Sequence, residues 1–292
     1  MQRHVPVLAK EIYENLPKNF NTYFDGTLGH GGHVEYILSN MEKLWNTDNI
    51  RVFWVDRDEI ILNKAQELLN KYKNKISFFR NSYAELQDIL WDVKADYFLL
   101  DLGVNMEHFK DTERGFSIKW DAKLDMRFDT RQKITAYEII DQYWLEKLSK
   151  MFNIYGDISL KFANLIADEI INYRKKTKIK TTWELKQILK QIWLNEKKIA
   201  VIFQCIRIEV NDELGELKLF LERFPSFISK DGVCAVITYH SIEDTIVKYA
   251  FKDLIETGKF ELINKHVIKP TYQEILRNKP SRSAKLRLIK SL

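Results

Sequence analysis

Up to residue 101 the chain alternates between short apolar runs and segments with helical periodicity. The apolar runs are 22–24, 52–55, 76–79 and 97–100, and in the segment 60–69 apolar residues recur on one helical face. Strands that alternate with helices form parallel sheets joined by right-handed crossovers. The pattern therefore predicts an α/β fold whose strands end at a common edge.

The alternation then gives way to a long stretch with helical periodicity only. Within it, residues 181–184 (Thr-Thr-Trp-Glu) have the sequence of a capping box, which opens a helix. Strand character returns at 233–238, followed by another helical segment. We therefore predict a sheet domain interrupted by an all-helical insertion, with the sheet domain at 1–127 and 213–292 and the insertion at 128–212.

Composition agrees with a globular protein. The chain has 292 residues, of which 45% are hydrophobic and 30% charged, and its two cysteines, Cys205 and Cys234, suggest neither a disulfide framework nor a metal site. No apolar run reaches the roughly 20 residues that a membrane helix needs. The N-terminal stretch lacks the apolar segment of a secretion signal. We therefore expect a cytoplasmic protein and assign no metal ligands, and the sequence leaves open whether a metal takes part.

Positive charge is concentrated near the C-terminus. Residues 265–292 contain eight Lys or Arg and one acidic residue, whereas the net charge of the whole chain is +5. A second basic run occupies 174–180. Clustered cations attract phosphate backbones, although a solvated lysine-rich surface explains the second run equally well. The alternating pattern of 280–288 predicts that its cations lie on an ordered strand.

A glycine-rich segment joins the first predicted strand to the following helix. Residues 25–33 read Asp-Gly-Thr-Leu-Gly-His-Gly-Gly-His. Glycines at such a joint let the backbone approach a ligand and direct its N–H groups toward it, and ligands bind at this edge of an α/β sheet. We interpret the segment as a cofactor loop; glycines kept for packing alone are the alternative.

Two further residues follow predicted strands. Asp56 stands at the end of the second strand, where a carboxylate can accept both hydroxyls of a ribose. Its alternative role, shared with Asp58, is to cap the next helix. Tyr83 follows the third strand, where it can lie against an adenine ring or pack in the core.

The composition of the loop restricts the choice of cofactor. It lacks the third glycine of the dinucleotide fingerprint, which disfavours an oxidoreductase, and no Lys-Ser/Thr pair follows it as in a phosphate-binding P-loop. S-adenosylmethionine has a ribose, an adenine, an amino-acid group and a sulfonium, but no phosphate. The pattern therefore favours this methyl donor.

Acceptor chemistry points to the fourth strand. Asp101 ends that strand. An exocyclic base amine is a poor nucleophile because its lone pair is delocalised, and a carboxylate that accepts its N–H bonds favours the reactive form. Asp101 either does this or holds the amino group of the cofactor. His240 ends the fifth strand and borders the same edge, as a catalytic or a structural residue.

A series of short motifs runs in a fixed order along nearly the whole chain. They are Asp-Gly-Thr at 25–27, Gly-Gly-His at 31–33, Leu-Asp-Leu-Gly-Val at 100–104, Arg-Gly-Phe-Ser at 114–117, Leu-Asp-Met-Arg at 124–127, Phe-Gln and Arg-Ile at 203–204 and 207–208, Val-Asn-Asp-Glu-Leu at 210–214, His-Ser-Ile-Glu-Asp at 240–244 and Arg-Ser-Ala-Lys-Leu-Arg at 282–287. Each motif alone is weak. Together they resemble the ribosomal RNA small subunit methyltransferase H family.

The resemblance implies a class I S-adenosylmethionine-dependent methyltransferase with a Rossmann-like sheet and an inserted helical domain that helps to recognise RNA. The family methylates N4 of a cytidine in the decoding region of 16S rRNA in the small ribosomal subunit. Carried over by position, cofactor contacts fall on Gly31, Gly32, His33, Asp56, Tyr83, Asp101 and His108. We expect catalytic roles for Asp101 and His240, and phosphate contacts from Arg127, Arg282, Lys285 and Arg287.

The chain departs from the family pattern after Val104. Residues 105–108 read Asn-Met-Glu-His where the family usually has Ser-Ser-Pro-Gln, and Tyr83 stands where Phe is common. The Tyr83 exchange is conservative, but the altered 105–108 segment leaves a ribosome-assembly or RNA-binding factor that has lost catalysis as the alternative. The sequence leaves open a monomer or a homodimer, and naked RNA or an assembled subunit as the substrate.

Overall fold

The computed structural model describes residues 6–17, 20–27, 29, 31–42 and 49–292. In this part of the chain the strands are β1 (Thr22–Asp25), β2 (Arg51–Val55), β3 (Ile76–Phe79), β4 (Ala95–Asp101), β5 (Ile228–Thr238), β6 (Phe260–Leu262) and β7 (Lys285–Ser291). The helices are α1 (Ala9–Glu14), α2 (Gly32–Met41), α3 (Glu59–Leu68), α4 (Leu86–Leu90), α5 (Met106–Lys110), α6 (Ala136–Gln142), α7 (Leu145–Gly156), α8 (Leu160–Arg174), α9 (Thr182–Gln191), α10 (Glu196–Asn211), α11 (Glu213–Arg223), α12 (Ser241–Glu256) and α13 (Tyr272–Arg277).

The chain divides into two compact units. The sheet unit comprises Met1–Gly103 and Gly215–Leu292, and the helical unit comprises Val104–Leu214. In the sheet unit the described strands form one sheet in the order β3-β2-β1-β4-β5-β7-β6. The first five strands in the chain pair in parallel, whereas β7 is antiparallel to both β5 and β6. The predicted α/β fold is confirmed.

The strand order reverses direction between β1 and β4. β1 is followed in the chain by strands on one side of it, and β4 pairs on its other side, with Asp25 opposite Leu99. Ligands of open α/β sheets bind at such a switch point, outside the carboxyl ends of the strands. The topology thus brings the acids that end β1 and β4 to the same place.

Both faces of the sheet are buried. Because side chains alternate along a strand, Tyr23 and Tyr97 join one apolar cluster while the adjacent Phe24 and Phe98 join the other. The first cluster packs against α1, α2 and α3, and the second includes residues of α4, α11 and α12. Continuous apolar runs, as in β4, are typical of such doubly covered parallel strands.

The helical unit has its own apolar core, built mainly from α6 to α10. This core extends to residues before the predicted helical stretch of 128–212. Phe116, Leu124 and Met126 precede α6 and still belong to it. The capping box expected at Thr181 and Glu184 is confirmed at the start of α9. The division into a catalytic and an RNA-recognising domain stays a prediction.

A buried asparagine ties the start of the helical unit to its longest helix. The Asn211 side chain is 0% exposed; its oxygen accepts the Phe128 N–H, and its amide donates to the carbonyls of Met126 and Arg207. Replacing a side chain that satisfies three backbone groups would leave those groups without their protein partner. Asn211 therefore has a structural role within this unit.

None of the helices in the described ranges is long and apolar enough to cross a membrane.

Candidate active site

Asp25 lies at the carboxyl end of β1 and is 2% exposed. Its carboxylate accepts the Tyr23 hydroxyl at 2.8 Å and the Thr27 N–H at 3.2 Å. Burial raises the pKa of Asp25 to about 7, against the lowering influence of nearby His33 and of these hydrogen bonds. Through its hydrogen bond to Thr27, Asp25 therefore fixes the start of the loop that follows β1.

Asp101 ends β4, two residues beyond the position that faces Asp25. Its N–H donates to the Thr27 hydroxyl at 2.6 Å, so Thr27 links the ends of both strands. The Tyr239 hydroxyl donates to Asp101 Oδ1 at 2.7 Å. Burial and the neighbouring carboxylate raise the pKa of Tyr239, which keeps the phenol protonated as a donor. These contacts fix the rotation of the Asp101 carboxylate.

His33, in the first turn of α2, lies beside Asp101. The His33 ring is 7% exposed, with Nε2 at 3.4 Å from Asp101 Oδ2. Within the described residues neither ring nitrogen has a hydrogen bond of acceptable geometry. A buried polar group left unpaired costs about 1–3 kcal/mol. The ring therefore fits a site that a polar ligand completes.

The loop glycines have an architectural reason of their own. Gly31 has φ +70°, and a Cβ at this position would lie 2.3 Å from the Trp54 ring. Gly26 is equally confined, since its Cβ would lie 2.7 Å from the Tyr83 Cβ. At Gly32 a Cβ would meet Pro6 at 3.3 Å. Close packing thus explains Gly26 and Gly31, and the cofactor contacts of Gly31 and Gly32 stay predictions.

Asp56 follows β2, and it does not cap the next helix. Asp58 is the N-cap of α3, accepting the N–H groups of Ile60 and Ile61. Asp56 is half-buried and accepts the Asp58 N–H at 2.8 Å. Burial raises the pKa of Asp56 to about 7. Because Asp58 serves as the cap, Asp56 is left at the sheet edge for the predicted ribose contact.

A polar network holds the loops that carry Asp56 and Tyr83. Glu216, on α11, pairs with Arg57 at 2.6 Å and accepts the Ser82 hydroxyl. The Ser82 hydroxyl also accepts the Ala84 N–H. The network joins the residue after Asp56 to the residue before Tyr83. Sequence patterns missed Glu216, because it lies 134 residues from Ser82.

The Tyr83 ring meets Phe220 edge to face, with centroids 5.9 Å apart. It is half-buried at the carboxyl end of β3. The core-packing alternative is therefore part of its role. Its adenine contact stays a prediction.

His240 serves as the N-cap of α12. Its Nδ1 accepts the Glu243 N–H at 3.4 Å, and the Glu243 carboxylate accepts the N–H groups of Tyr239 and His240. This capping box gives His240 a structural role, and its catalytic role stays a prediction. Tyr239 contacts the Asp101 carboxylate instead.

His108 belongs to the helical unit and is described there alone. The ring is buried between Phe116 and Phe128, with centroids 4.8 and 5.0 Å away. Phe116 and Phe128 also stack on each other at 5.5 Å. His108 thus packs with aromatic rings, and its cofactor contact stays a prediction.

The four predicted phosphate ligands differ in their surroundings. Arg127 forms a double pair with Asp125, at 2.8 and 2.7 Å, and donates to two backbone carbonyls. Lys285 and Arg287 share Asp244, at 2.9 and 2.7 Å. Arg282 is exposed and has no acidic partner in the described part of the chain. Only Arg282 therefore keeps an uncompensated charge.

The family profile of the MraW methylases matches residues 1–292. This chain belongs to the MraW methylase family. The resemblance drawn from the ordered motifs is confirmed. As a member of the family, the protein is an S-adenosylmethionine-dependent methyltransferase with a class I fold.

Two curated relatives of this MraW methylase are named ribosomal RNA small subunit methyltransferase H. The protein from Elusimicrobium minutum is 38% identical over 297 residues, covering 99% of this chain and 98% of the relative. The protein from Brachyspira hyodysenteriae is 38% identical over 298 residues, covering 98% and 95%. A solved rRNA methylase from Streptococcus thermophilus has a TM-score of 0.46 and 9% identity, covering 100% of this chain and 99% of that one; the family assignment does not rest on it.

The residues at the sheet edge fit the methyl donor. Its sulfonium and ammonium groups are cationic, and Asp25, Asp56 and Asp101 place carboxyl groups along this edge. In the described part of the chain the buried ring nitrogens of His33 have no hydrogen-bond partner, which is compatible with a polar ligand beside Asp101.

Proposed function

We propose that this protein transfers a methyl group from S-adenosylmethionine to N4 of a cytidine in the decoding region of 16S rRNA, within the small ribosomal subunit. Support comes from curated relatives 38% identical over nearly their whole length, whose name specifies small-subunit ribosomal RNA. The comparisons do not favour the alternative of an assembly factor that has lost catalysis. Ribosomal RNA as the substrate implies action in the cytoplasm.

The reaction makes a simple demand on the protein. The donor, when bound, would supply an electrophilic methyl carbon: the S–CH₃ bond breaks as the N4–CH₃ bond forms, sulfur keeps the bonding electron pair, and N4 then loses a proton to water. The amine must therefore approach with its lone pair directed at the methyl group. A positioned carboxylate that accepts an N–H of the amine favours that orientation.

Asp101 is our candidate for this carboxylate. Tyr239 occupies Oδ1, and Thr27 holds the backbone N–H of Asp101, so the side chain presents a fixed acceptor at the switch point. Because Tyr239 holds the carboxylate and Thr27 holds the backbone of the same residue, Asp101 loses little freedom when it binds the amine. In this proposal Tyr239 positions Asp101 rather than reacting itself.

The remaining edge residues are proposed to hold the donor. Asp56 would accept the ribose hydroxyls, Tyr83 would lie against the adenine, and the start of α2 with Gly31, Gly32 and His33 would contact the amino-acid end. The Glu216 network supports this arrangement, because it braces the segments on either side of the adenosine position.

The test is methylation of immature 30S subunits lacking this modification. Purified protein and radiolabelled S-adenosylmethionine are added, and the 16S rRNA is digested for nucleoside mass spectrometry. We expect label in N4-methylcytidine from the decoding region. Donor binding by calorimetry without label in the RNA would contradict the substrate, and no heat at millimolar donor would support the assembly factor instead.

A further inference from the structure

A cavity of about 270 Å³ lies beside Tyr239, between the end of β5 and the start of β7. It is lined by Tyr239, His240, Ser241, Lys269, Arg282, Ser283, Ala284 and Lys285. The same Tyr239 donates to Asp101. The cavity and the candidate catalytic carboxylate are therefore separated by one side chain.

The cavity is positively charged. Lys269 and Arg282 are exposed, and among the described residues neither has an acidic partner. Lys285 also lines the cavity, but its ammonium group is paired with Asp244. Two uncompensated cations on one small cavity attract an anion.

Backbone pairing fixes where these cations stand. Ile268 forms an isolated antiparallel bridge with Leu286, exchanging hydrogen bonds of 3.0 and 2.9 Å. This bridge holds Lys269 next to the first residues of β7. Arg282 lies in a 3₁₀ turn, Lys279–Ser283, that leads into β7. Both cations are thus carried by ordered segments.

Neutral donors complete the lining. Ser241 is the first residue of α12, and Ser283 faces the cavity from the turn before β7; both are exposed. Serine hydroxyls donate readily to phosphate oxygens. The positive end of the α12 dipole adds to the same field.

The acidic groups nearby are already engaged. Glu243 is buried and accepts the N–H groups of Tyr239 and His240. Asp244 is held by Lys285 and Arg287. Glu274 also acts on Tyr239, and its carboxylate accepts the Leu8 N–H at 2.8 Å. Within the described residues none of these three acids is paired with Lys269 or Arg282, so both cations remain available to an anion.

We infer that this cavity binds a backbone phosphate of the RNA next to the nucleotide being methylated. The inference rests on the proposed function and adds a binding site to it. A phosphate held beyond Tyr239 would anchor the strand while its neighbouring base reaches Asp101. Phosphate contacts set the register of a nucleic acid without reading its sequence.

The first experiment removes the two free cations. The double variant Lys269→Ala/Arg282→Ala is compared with Lys218→Ala/Lys259→Ala, which removes two exposed lysines elsewhere in the sheet unit. Binding to immature 30S subunits is measured between about 50 and 200 mM KCl. We expect the slope of log K against log [salt] to fall by about one for each lost cavity cation, and to stay unchanged in the control pair.

The second experiment uses a matched pair at one position. Ser241→Asp places a negative charge in the cavity, and an acid is tolerated in the first turn of a helix. Ser241→Asn is similar in size and neutral. We expect Ser241→Asp to weaken RNA binding at least tenfold relative to Ser241→Asn, with equal melting temperatures and equal calorimetric affinity for S-adenosylmethionine.

The outcomes separate the possible ligands. An unchanged salt slope in the double variant overturns the inference, as does a loss of donor affinity alone, which would assign the cavity to the cofactor. The inference is also overturned if the wild-type protein binds inorganic phosphate and the double variant does not, while both bind RNA equally well. Wild-type protein that binds but does not methylate the subunits would instead refute the proposed function.

Discussion

The acidic strand ends and the basic residues near the C-terminus are two sets of charges with different surroundings. Asp25 and Asp101 meet at the switch point because strand order places them there, and Thr27 joins them. Among the cations, Lys285 and Arg287 are both paired with Asp244. Strand order alone positions a residue at the end of a strand. Whether a surface cation can bind a phosphate depends instead on whether an acidic side chain already pairs with it.

Removing the Asp101 carboxylate is expected to have the largest effect. Asp101→Ala should lower methyl transfer about 1,000-fold, within the range for loss of a positioned acid–base group, while the melting temperature changes little. Turnover is measured with labelled donor and immature 30S subunits. Tyr239→Phe, which keeps the carboxylate but removes its hydrogen bond, should lose much less. Wild-type turnover in Asp101→Ala would falsify the assignment.

Asp25 should make stability depend on pH. Its pKa is about 7 in the folded protein, against an ordinary value of 3.8 for an aspartate exposed to water in the unfolded chain, so the folded state holds the extra proton between these values. Stability therefore falls as pH rises from about 4 to 7, by about 4 kcal/mol in total. Asp25→Asn should flatten this decline.

Urea unfolding at several pH values measures the effect of Asp25→Asn. The control is Asp88→Asn, an exposed position on α4. Asp56, whose pKa burial also raises to about 7, should contribute the decline that remains in Asp25→Asn. If wild type and Asp25→Asn decline in parallel, Asp25 is ionised in the folded protein.

Asp56→Asn tests the ribose contact. The Asp56 carboxyl group is only partly ionised at neutral pH because its pKa is about 7. Losing such an acceptor costs about 1.5 kcal/mol, so the Kd for S-adenosylmethionine should rise about 10-fold in calorimetry. Asp58 continues to cap α3, which leaves the fold in place. Unchanged affinity would mean that other groups hold the ribose.

The smallest effect is expected at Arg287. Because Asp244 already neutralises its guanidinium, Arg287→Ala should leave the salt slope of RNA binding unchanged, whereas Arg282→Ala lowers it by about one. Filter binding with immature 30S subunits compares the two variants. Equal salt slopes for the two variants would show that pairing with Asp244 does not prevent Arg287 from binding phosphate.

Sequence spacing predicted the parts of the site that backbone topology determines. Acids that end successive parallel strands must lie at one edge, so the positions of Asp56 and Asp101 at that edge followed from the pattern, whereas their roles stay predictions. The ordered motifs added the family and the donor. A sequence signal also existed for the capping role of His240, since Glu243 follows it by three residues as in a capping box.

The rest depends on partners that are distant in the chain or chosen by local geometry. Nothing in the pattern pairs Tyr239 with Asp101, 138 residues away, or Glu216 with Ser82. The Arg127 pair is local, but whether an arginine folds back onto Asp125 or extends into solvent is decided by the backbone carbonyls around it. A single sequence therefore identifies the charged residues but does not show which of them form ion pairs or hydrogen bonds within the protein.

The placement of β7 also has a consequence for how the polypeptide emerges from the ribosome. Among the described strands β6 pairs with β7, which is synthesised after it, and β5 comes after the entire helical unit. The β3-β2-β1-β4 half can form early, but the outer edge of β4 then stays unpaired during translation of more than one hundred residues. An exposed strand edge invites association with other chains, so nascent chains of this protein should depend on chaperones until β5 docks.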